Sequence, residues 1–265
     1  MENTLWKHIE TVKKTVPLIH NITNYVVMNN TANALLAAGA SPIMANAHSE
    51  MEDMVSICQG LVINIGTLTE YSVESMLIAA KCANKTNTPW VLDPVGAGAT
   101  TFRNETLSKL IALKPTIIRA NASEILALAT TNNLFTKGVD STAESNEAIL
   151  AAKELNKKYG AVISISGATD IIIDGDQQIH LSNGNKLMTK VTGLGCSTSA
   201  ITAAFAAVIP NKFEATCTAM ALFGVCGELA AKKSDGPGTL QLHILDELFS
   251  ISERAFQTTL KLTIK

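Results

Sequence analysis

The residues with the clearest chemical potential are Lys190-Val191-Thr192-Gly193-Leu194-Gly195-Cys196-Ser197-Thr198-Ser199. A Gly-x-Gly turn precedes a small, apolar run, Ala200, Ala203, Ala204 and Ala207, that reads as a helix beginning near Cys196. The β-branched residues before the turn read as a strand-like lead-in. Glycines let a backbone turn sharply and approach a ligand with no side chain in the way. The first N–H groups of a helix lack intrahelical partners, and with the helix dipole they make an anion site suited to phosphate. The same field is expected to lower the pKa of the Cys196 thiol. Taken alone, the turn is equally well read as a tight connection. It lacks the third glycine and the downstream acid of the dinucleotide fingerprint, and no Gly-Lys-Ser/Thr of a P-loop is present.

A second set of polar residues lies where short apolar runs end. Asp93 closes Trp90-Val91-Leu92 and opens Pro94-Val95-Gly96-Ala97-Gly98; there a carboxylate could hold a metal or its waters. Arg119 ends Thr116-Ile117-Ile118, placing a guanidinium where it could face phosphate. Asn121, Glu124 and Ser166 occupy comparable positions. Structural readings compete with these. Asn121 and Glu124 fit a helix-capping pair, and Arg119 with Asp93 fits an ion pair. A third set is the amide-rich His20-Asn21-Ile22-Thr23-Asn24-Tyr25-Val26-Val27-Met28-Asn29. Asn24 could bond a polar ligand atom while Val26 and Met28 supply apolar walls, or these asparagines could cap a helix at 29–38. Met44 ends a short strand at 41–45, and Ser49-Glu50-Met51-Glu52 reads as a capping box.

The elements that would position these residues alternate. Strands at 61–65, 90–93, 116–119 and 161–165 are separated by helical runs at 70–84, 104–112 and 142–159. Such alternation predicts an α/β fold, a mostly parallel sheet with helices on both faces, whose ligands sit beyond the carboxyl ends of the strands. A hairpin with an Asp-Gly turn follows at 170–181, with His180 expected on its exposed face. Two small-residue helices at about 197–208 and 213–231, and an amphipathic helix at 241–260, complete the chain.

Composition narrows the function. The 265 residues are 47% hydrophobic and 17% charged with a net charge of −2, which gives no electrostatic footprint for nucleic acid. No membrane span and no signal-peptide core is read from the sequence. Five cysteines without a Cys-x-x-Cys pair are expected to be reduced, as in a cytoplasmic protein.

Together, His20-Asn21-Ile22-Thr23-Asn24-Tyr25-Val26-Val27, Gly39-Ala40-Ser41-Pro42-Ile43-Met44-Ala45, Asp93-Pro94-Val95-Gly96-Ala97-Gly98, Asn121-Ala122-Ser123-Glu124-Ile125, Val191-Thr192-Gly193-Leu194-Gly195-Cys196 and Gly236-Pro237-Gly238 resemble hydroxyethylthiazole kinase. The resemblance runs in order from about residue 16 to 250. It implies a single ribokinase-like domain over 1–265 that uses ATP and Mg2+ to phosphorylate 4-methyl-5-(2-hydroxyethyl)thiazole in thiamine salvage. It further implies a homotrimer with active sites between subunits. Asn24, Val26, Met44 and Gly193 match substrate-binding positions, and Arg119, Ser166 and Asn121 match nucleotide-binding positions. Glu124 and Asp93 match groups around magnesium and the phosphates, and Cys196 matches the catalytic-site cysteine. Backbone N–H groups of 193–196 would receive the transferring phosphoryl group. Ser166 and Leu194 stand where the family commonly has Thr; the first keeps the hydroxyl and the second loses it. A fold-related hydrate dehydratase would be expected to carry Asp in place of Cys196.

Overall fold

The computed structural model describes residues 2–134 and 144–265. Its nine strands form one sheet in the order β2-β1-β3-β4-β5-β6-β7-β8-β9. They are β1 (Leu18–Ile22), β2 (Ser41–Ile43), β3 (Gly60–Asn64), β4 (Trp90–Asp93), β5 (Ile117–Asn121), β6 (Val162–Ser166), β7 (Asp170–Asp174), β8 (Gln177–Leu181) and β9 (Leu262–Ile264). β1 to β6 run parallel, and β7, β8 and β9 add antiparallel strands at one side.

The period of two along each strand divides the core in two. Leu61 and Ile63 of β3, Trp90 and Leu92 of β4, and Ile118 and Ala120 of β5 face one layer. That layer holds α3 (Met51–Ile57), α4 (Glu70–Thr86), α5 (Thr101–Ile111), α6 (Ala122–Thr131) and α7 (Glu144–Tyr159). Val62, Val91 and Ile117 face the other layer. It is built from α1 (Glu2–Thr15), α2 (Met28–Ala38), α8 (Leu194–Val208), α9 (Lys212–Ala231), α10 (Pro237–Ser250) and α11 (Glu253–Thr259). Strands covered on both faces need the continuous apolar runs that the sequence shows. Among the described helices, α9 is long and apolar enough to cross a membrane, but it is packed within the second layer. An apolar surface all round is what a core helix requires.

The structure departs from the sequence expectations in five places. The strand-like lead-in at 190–192 is instead a 3-10 turn over Lys186–Lys190, followed by one extended residue, Val191. α8 begins at Leu194, two residues before Cys196, because Gly193 already has the left-handed conformation that starts it. No side chain caps α2, so the asparagines before it are free for other work. Ser49 forms no capping box; His48–Glu50 make a 3-10 turn leading into α3. The helix expected over 241–260 breaks at Ile251, where the backbone is extended and the Ser252 hydroxyl restarts α11 by accepting from the Ala255 N–H. The chain then closes with β9.

Candidate active site

The carboxyl ends of β3 and β4 place Asn64 beside Asp93. The Asn64 amide nitrogen donates to Asp93 Oδ2 at 2.7 Å and to Cys196 Sγ at 3.2 Å. Its Oδ1 accepts from Asn24 Nδ2 at 3.0 Å and from the Gly66 N–H at 2.9 Å. Asn24 Nδ2 also lies 3.6 Å from Cys196 Sγ. Ser199, one turn along α8 from Cys196, donates to Asp93 Oδ2 at 2.8 Å. A residue after β1, the last residues of β3 and β4, and the first turns of α8 thus meet in one hydrogen-bonded cluster.

Burial dominates its electrostatics. The Cys196 thiol is pushed up to about 11, chiefly by desolvation and then by the Asp93 charge, against the amide donors of Asn64 and Asn24. The net shift is upward, where the sequence suggested a lowered thiol. Loss of water around the sulfur, which disfavours the thiolate, is the largest cause. The Asp93 carboxyl is also held above its usual range by burial, with Arg119 and the Ser199 hydroxyl pulling the other way.

The two glycines of the turn serve it differently, the first by its conformation and the second by letting Arg119 come close. Gly193 has φ +81°, and Gly195 packs so that a Cβ would lie 2.9 Å from Arg119 Nη1. The N–H groups of Leu194, Gly195 and Cys196 open α8, with no acidic residue in its first turn. Below them Arg119 is buried, and its Nε has no hydrogen-bond partner. Arg119 and Asp93 influence each other without forming an ion pair within 4.0 Å among the described residues. A buried guanidinium with an unused donor is suited to an anion.

Arg119, Ser166 and Gly195 share a cleft of about 690 Å³ with Asp170, Met188 and Phe223. The Ser166 hydroxyl is anchored on the Ala120 carbonyl at 3.3 Å. Asn121 and Glu124 form the capping box expected at the start of α6: Asn121 Oδ1 accepts the Glu124 N–H at 2.9 Å and Glu124 Oε2 accepts the Asn121 N–H at 3.0 Å. The capping reading does not exhaust Glu124, because its Oε1 also accepts the Gly96 N–H at 2.9 Å. That bond ties it to the loop that Asp93 opens.

Two candidate residues stand apart. Val26 is 67% exposed and its neighbour Tyr25 70%, so within one chain Val26 walls no enclosed pocket. Met44 follows β2 and is half-buried. Three residues, Asn64, Asp170 and Arg103, carry no site signal in the sequence, and Ser199, though it closes the 190–199 stretch, has no role assigned there. Asn64 reads as part of a buried strand. Asp170, at the start of β7, accepts the Gly167 N–H at 2.9 Å, and burial pushes its carboxyl up to about 6. Arg103 in α5 donates to the carbonyls of Ile65, Gly66 and Val95, stapling the loops after β3 and β4.

Known proteins resemble this chain in sequence and in fold. The hydroxyethylthiazole kinase family matches residues 9–254. A hydroxyethylthiazole kinase from Syntrophus aciditrophicus is 51% identical over 262 residues, 98% of this chain and 97% of that protein. The structure of the hydroxyethylthiazole kinase protein from Pyrococcus horikoshii OT3 aligns with a TM-score of 0.93 at 36% identity, covering 99% of each chain. A Staphylococcus aureus pyridoxal kinase, solved with pyridoxal, aligns over 94% of this chain and 98% of its own with a TM-score of 0.67. At 16% identity that likeness is one of fold, the ribokinase-like fold. By sequence along almost its whole length and by structure, the chain belongs to the hydroxyethylthiazole kinase family.

Proposed function

We propose that this chain transfers the γ-phosphoryl group of ATP to the side-chain hydroxyl of 4-methyl-5-(2-hydroxyethyl)thiazole, in thiamine salvage. The observation that carries this reading is the placement of one helix start between two sites. On one side of the Gly193–Cys196 turn lies the cleft with Arg119; on the other lies the Asn24–Asn64–Cys196–Asp93 cluster.

Phosphoryl transfer asks a protein mostly for positioning and charge stabilisation. The cleft of about 690 Å³ has room for a nucleotide, with Arg119 and Ser166 in its lining and Asn121 at the end of the neighbouring strand β5. The N–H groups opening α8 receive the transferring group. Asn24 holds the thiazole alcohol, with Val26 and Met44 as apolar walls and Gly193 allowing close approach. Cys196, protonated at neutral pH, positions the hydroxyl rather than acting as a strong base. The exposed Tyr25 and Val26 support a homotrimer in which a neighbouring subunit closes the thiazole pocket. The single sheet supports reading the chain as one catalytic domain, and its reduced thiols suit the cytoplasm.

Asp93 and Glu124 suit a hard divalent cation. Asp93 Oδ1 makes no hydrogen bond among the described residues, and the Glu124 charge adds to the burial that raises the Asp93 carboxyl. A cation near the pair would relieve that repulsion. Two carboxylates, with phosphate oxygens and water completing the shell, are a usual donor set for Mg2+. When bound, the metal would neutralise phosphate charge. Asp93 and Glu124 would hold it, with Glu124 fixed by the Gly96 and Asn121 N–H groups.

The test is ADP release from MgATP with hydroxyethylthiazole, against pyridoxal, hydroxymethylpyrimidine and no acceptor. Thiazole-dependent release that disappears without magnesium is expected. Its absence in folded protein would overturn the assignment.

A further inference from the structure

We propose that Asn64 is a positioning residue that fixes the orientation of the Cys196 thiol and, through it, the approach of the acceptor alcohol; this rests on the kinase reading above. A carboxamide has two N–H donors and two acceptor lone pairs. In Asn64 all four are engaged: Nδ2 with Asp93 Oδ2 and Cys196 Sγ, Oδ1 with Asn24 Nδ2 and the Gly66 N–H. The network also decides which way the amide points. Turned over, its NH2 would meet two donors, Asn24 Nδ2 and the Gly66 N–H, and its oxygen would meet a carboxylate.

The consequence falls on the sulfur. Cys196 Sγ receives N–H groups from Asn64 at 3.2 Å and Asn24 at 3.6 Å, so its lone pairs face the two amides. The S–H is left to point away from both, toward the acceptor hydroxyl. The backbone offers Asn64 no freedom to drift. β3 ends at this residue, in register with Asp93, and a Cβ on Gly66 would lie 2.6 Å from Asn24 Nδ2. Asn64 does not line the cleft that holds Arg119. Its influence on turnover should therefore pass mainly through Cys196 and Asn24; its one link to the phosphate side is the bond to Asp93 Oδ2, which Cys196→Ala leaves in place.

A double-mutant cycle on kcat tests this, because two residues acting through one contact are not additive. Asn64→Ala is expected to lower thiazole-dependent kcat by roughly 10- to 10²-fold, no more than Cys196→Ala does, with the KM for ATP within about threefold of the parent. In a Cys196→Ala background the same change should cost less than about threefold. Equal fold losses in both backgrounds would overturn the proposal, as would a loss confined to the KM for ATP. Should Asn64→Ala not fold, Asn64→Asp keeps the shape and the acceptor toward Asn24 and Gly66 but sends no N–H to sulfur or to Asp93. A similar kcat loss is expected from it, and a parental kcat would equally overturn the proposal. Failure of the kinase reading looks different, since the unmodified chain would then show no thiazole-dependent turnover at all.

Discussion

Gly193 and Val27 touch so closely that a methyl group on Gly193 would come within 2.5 Å of Val27 Cγ1. Gly193 starts α8 and Val27 precedes α2, so the phosphate-facing turn and the segment carrying Asn24 are held at one spacing with no slack. Acceptor and donor sites are thereby set relative to each other by the contact of the Gly193 backbone with the Val27 side chain.

Gly193→Ala is therefore expected to be costly. The residue would keep φ near +81°, a conformation that costs a non-glycine residue about 1 kcal/mol, and would also push Val27 away. Because misplacing reacting groups by about 1 Å can cost 10²-fold, kcat/KM for the thiazole should fall by about that factor. Gly238→Ala is the control: it lies in the first turn of α10, nothing lies within 4 Å of its Cβ position, and it should keep both melting temperature and turnover.

Cys196→Ala is expected to lower kcat by about 10²-fold or less, the range of a positioning contact rather than of an essential nucleophile. The thiol itself can be titrated by alkylation, which requires the thiolate. With burial raising it from 9.0 to about 11, its labelling by iodoacetamide should reach half its maximal rate near pH 11, where an unperturbed thiol reaches half near pH 9. Peptide-resolved mass spectrometry separates Cys196 from the other cysteines; a plateau below pH 9 would contradict the structure. The linked effect on stability has a definite sign. Between 9.0 and about 11 the folded state keeps a proton the unfolded chain has lost, so stability should fall as pH rises through that window.

Arg103 offers a test at a distance. Its guanidinium fixes three carbonyls in the loops after β3 and β4, and the adjacent Gly66 and Gly96 N–H groups hold Asn64 and Glu124. Arg103→Met should destabilise the fold by about 2 kcal/mol, the cost of leaving part-buried carbonyls unmet. It should also raise the magnesium concentration needed for half-maximal activity, since Glu124 loses its support. Arg103→Lys should recover only part of both losses, because an ammonium lacks the planar fork.

Asp170 lines the cleft with its carboxyl pushed up to about 6, burial being the main cause. It gains negative charge as pH rises through that value, close to where nucleotide phosphates would lie. The KM for ATP should therefore rise more steeply between about pH 5 and 7 in the parent than in Asp170→Asn, which removes the ionisation. Superimposable profiles would exclude a role for this charge.

The legible parts of this molecule were those with local signatures. Apolar runs separated by helical periods announced the parallel strands, and their alternate residues do divide between two layers. Asn121 and Glu124 carried a capping spacing that the structure reproduces. Residues such as Asn64, Ser199 and Arg103 carry no such signature, because their partners come from other strands and helices. Asn64 and Cys196 are separated by 132 positions. The Cys196 pKa was misjudged for a related reason. A helix start is visible in sequence, whereas the depth at which tertiary packing buries a sulfur is not. The break at Ile251 and Ser252 is hidden in the sequence because amphipathic periodicity on both sides masks two non-helical residues.

The borders of the sheet carry a last consequence. Each outermost strand is only three residues long: β2 contains Pro42, which has no N–H to offer, and β9 sits between Lys261 and Lys265. Short, proline-bearing or lysine-flanked borders are poor templates for a further strand. The fold can therefore carry an unusually apolar interior through crowded conditions without recruiting neighbours into continuous β-structure. Copies of the chain are left to meet through side-chain surfaces, where recognition can be selective and reversible.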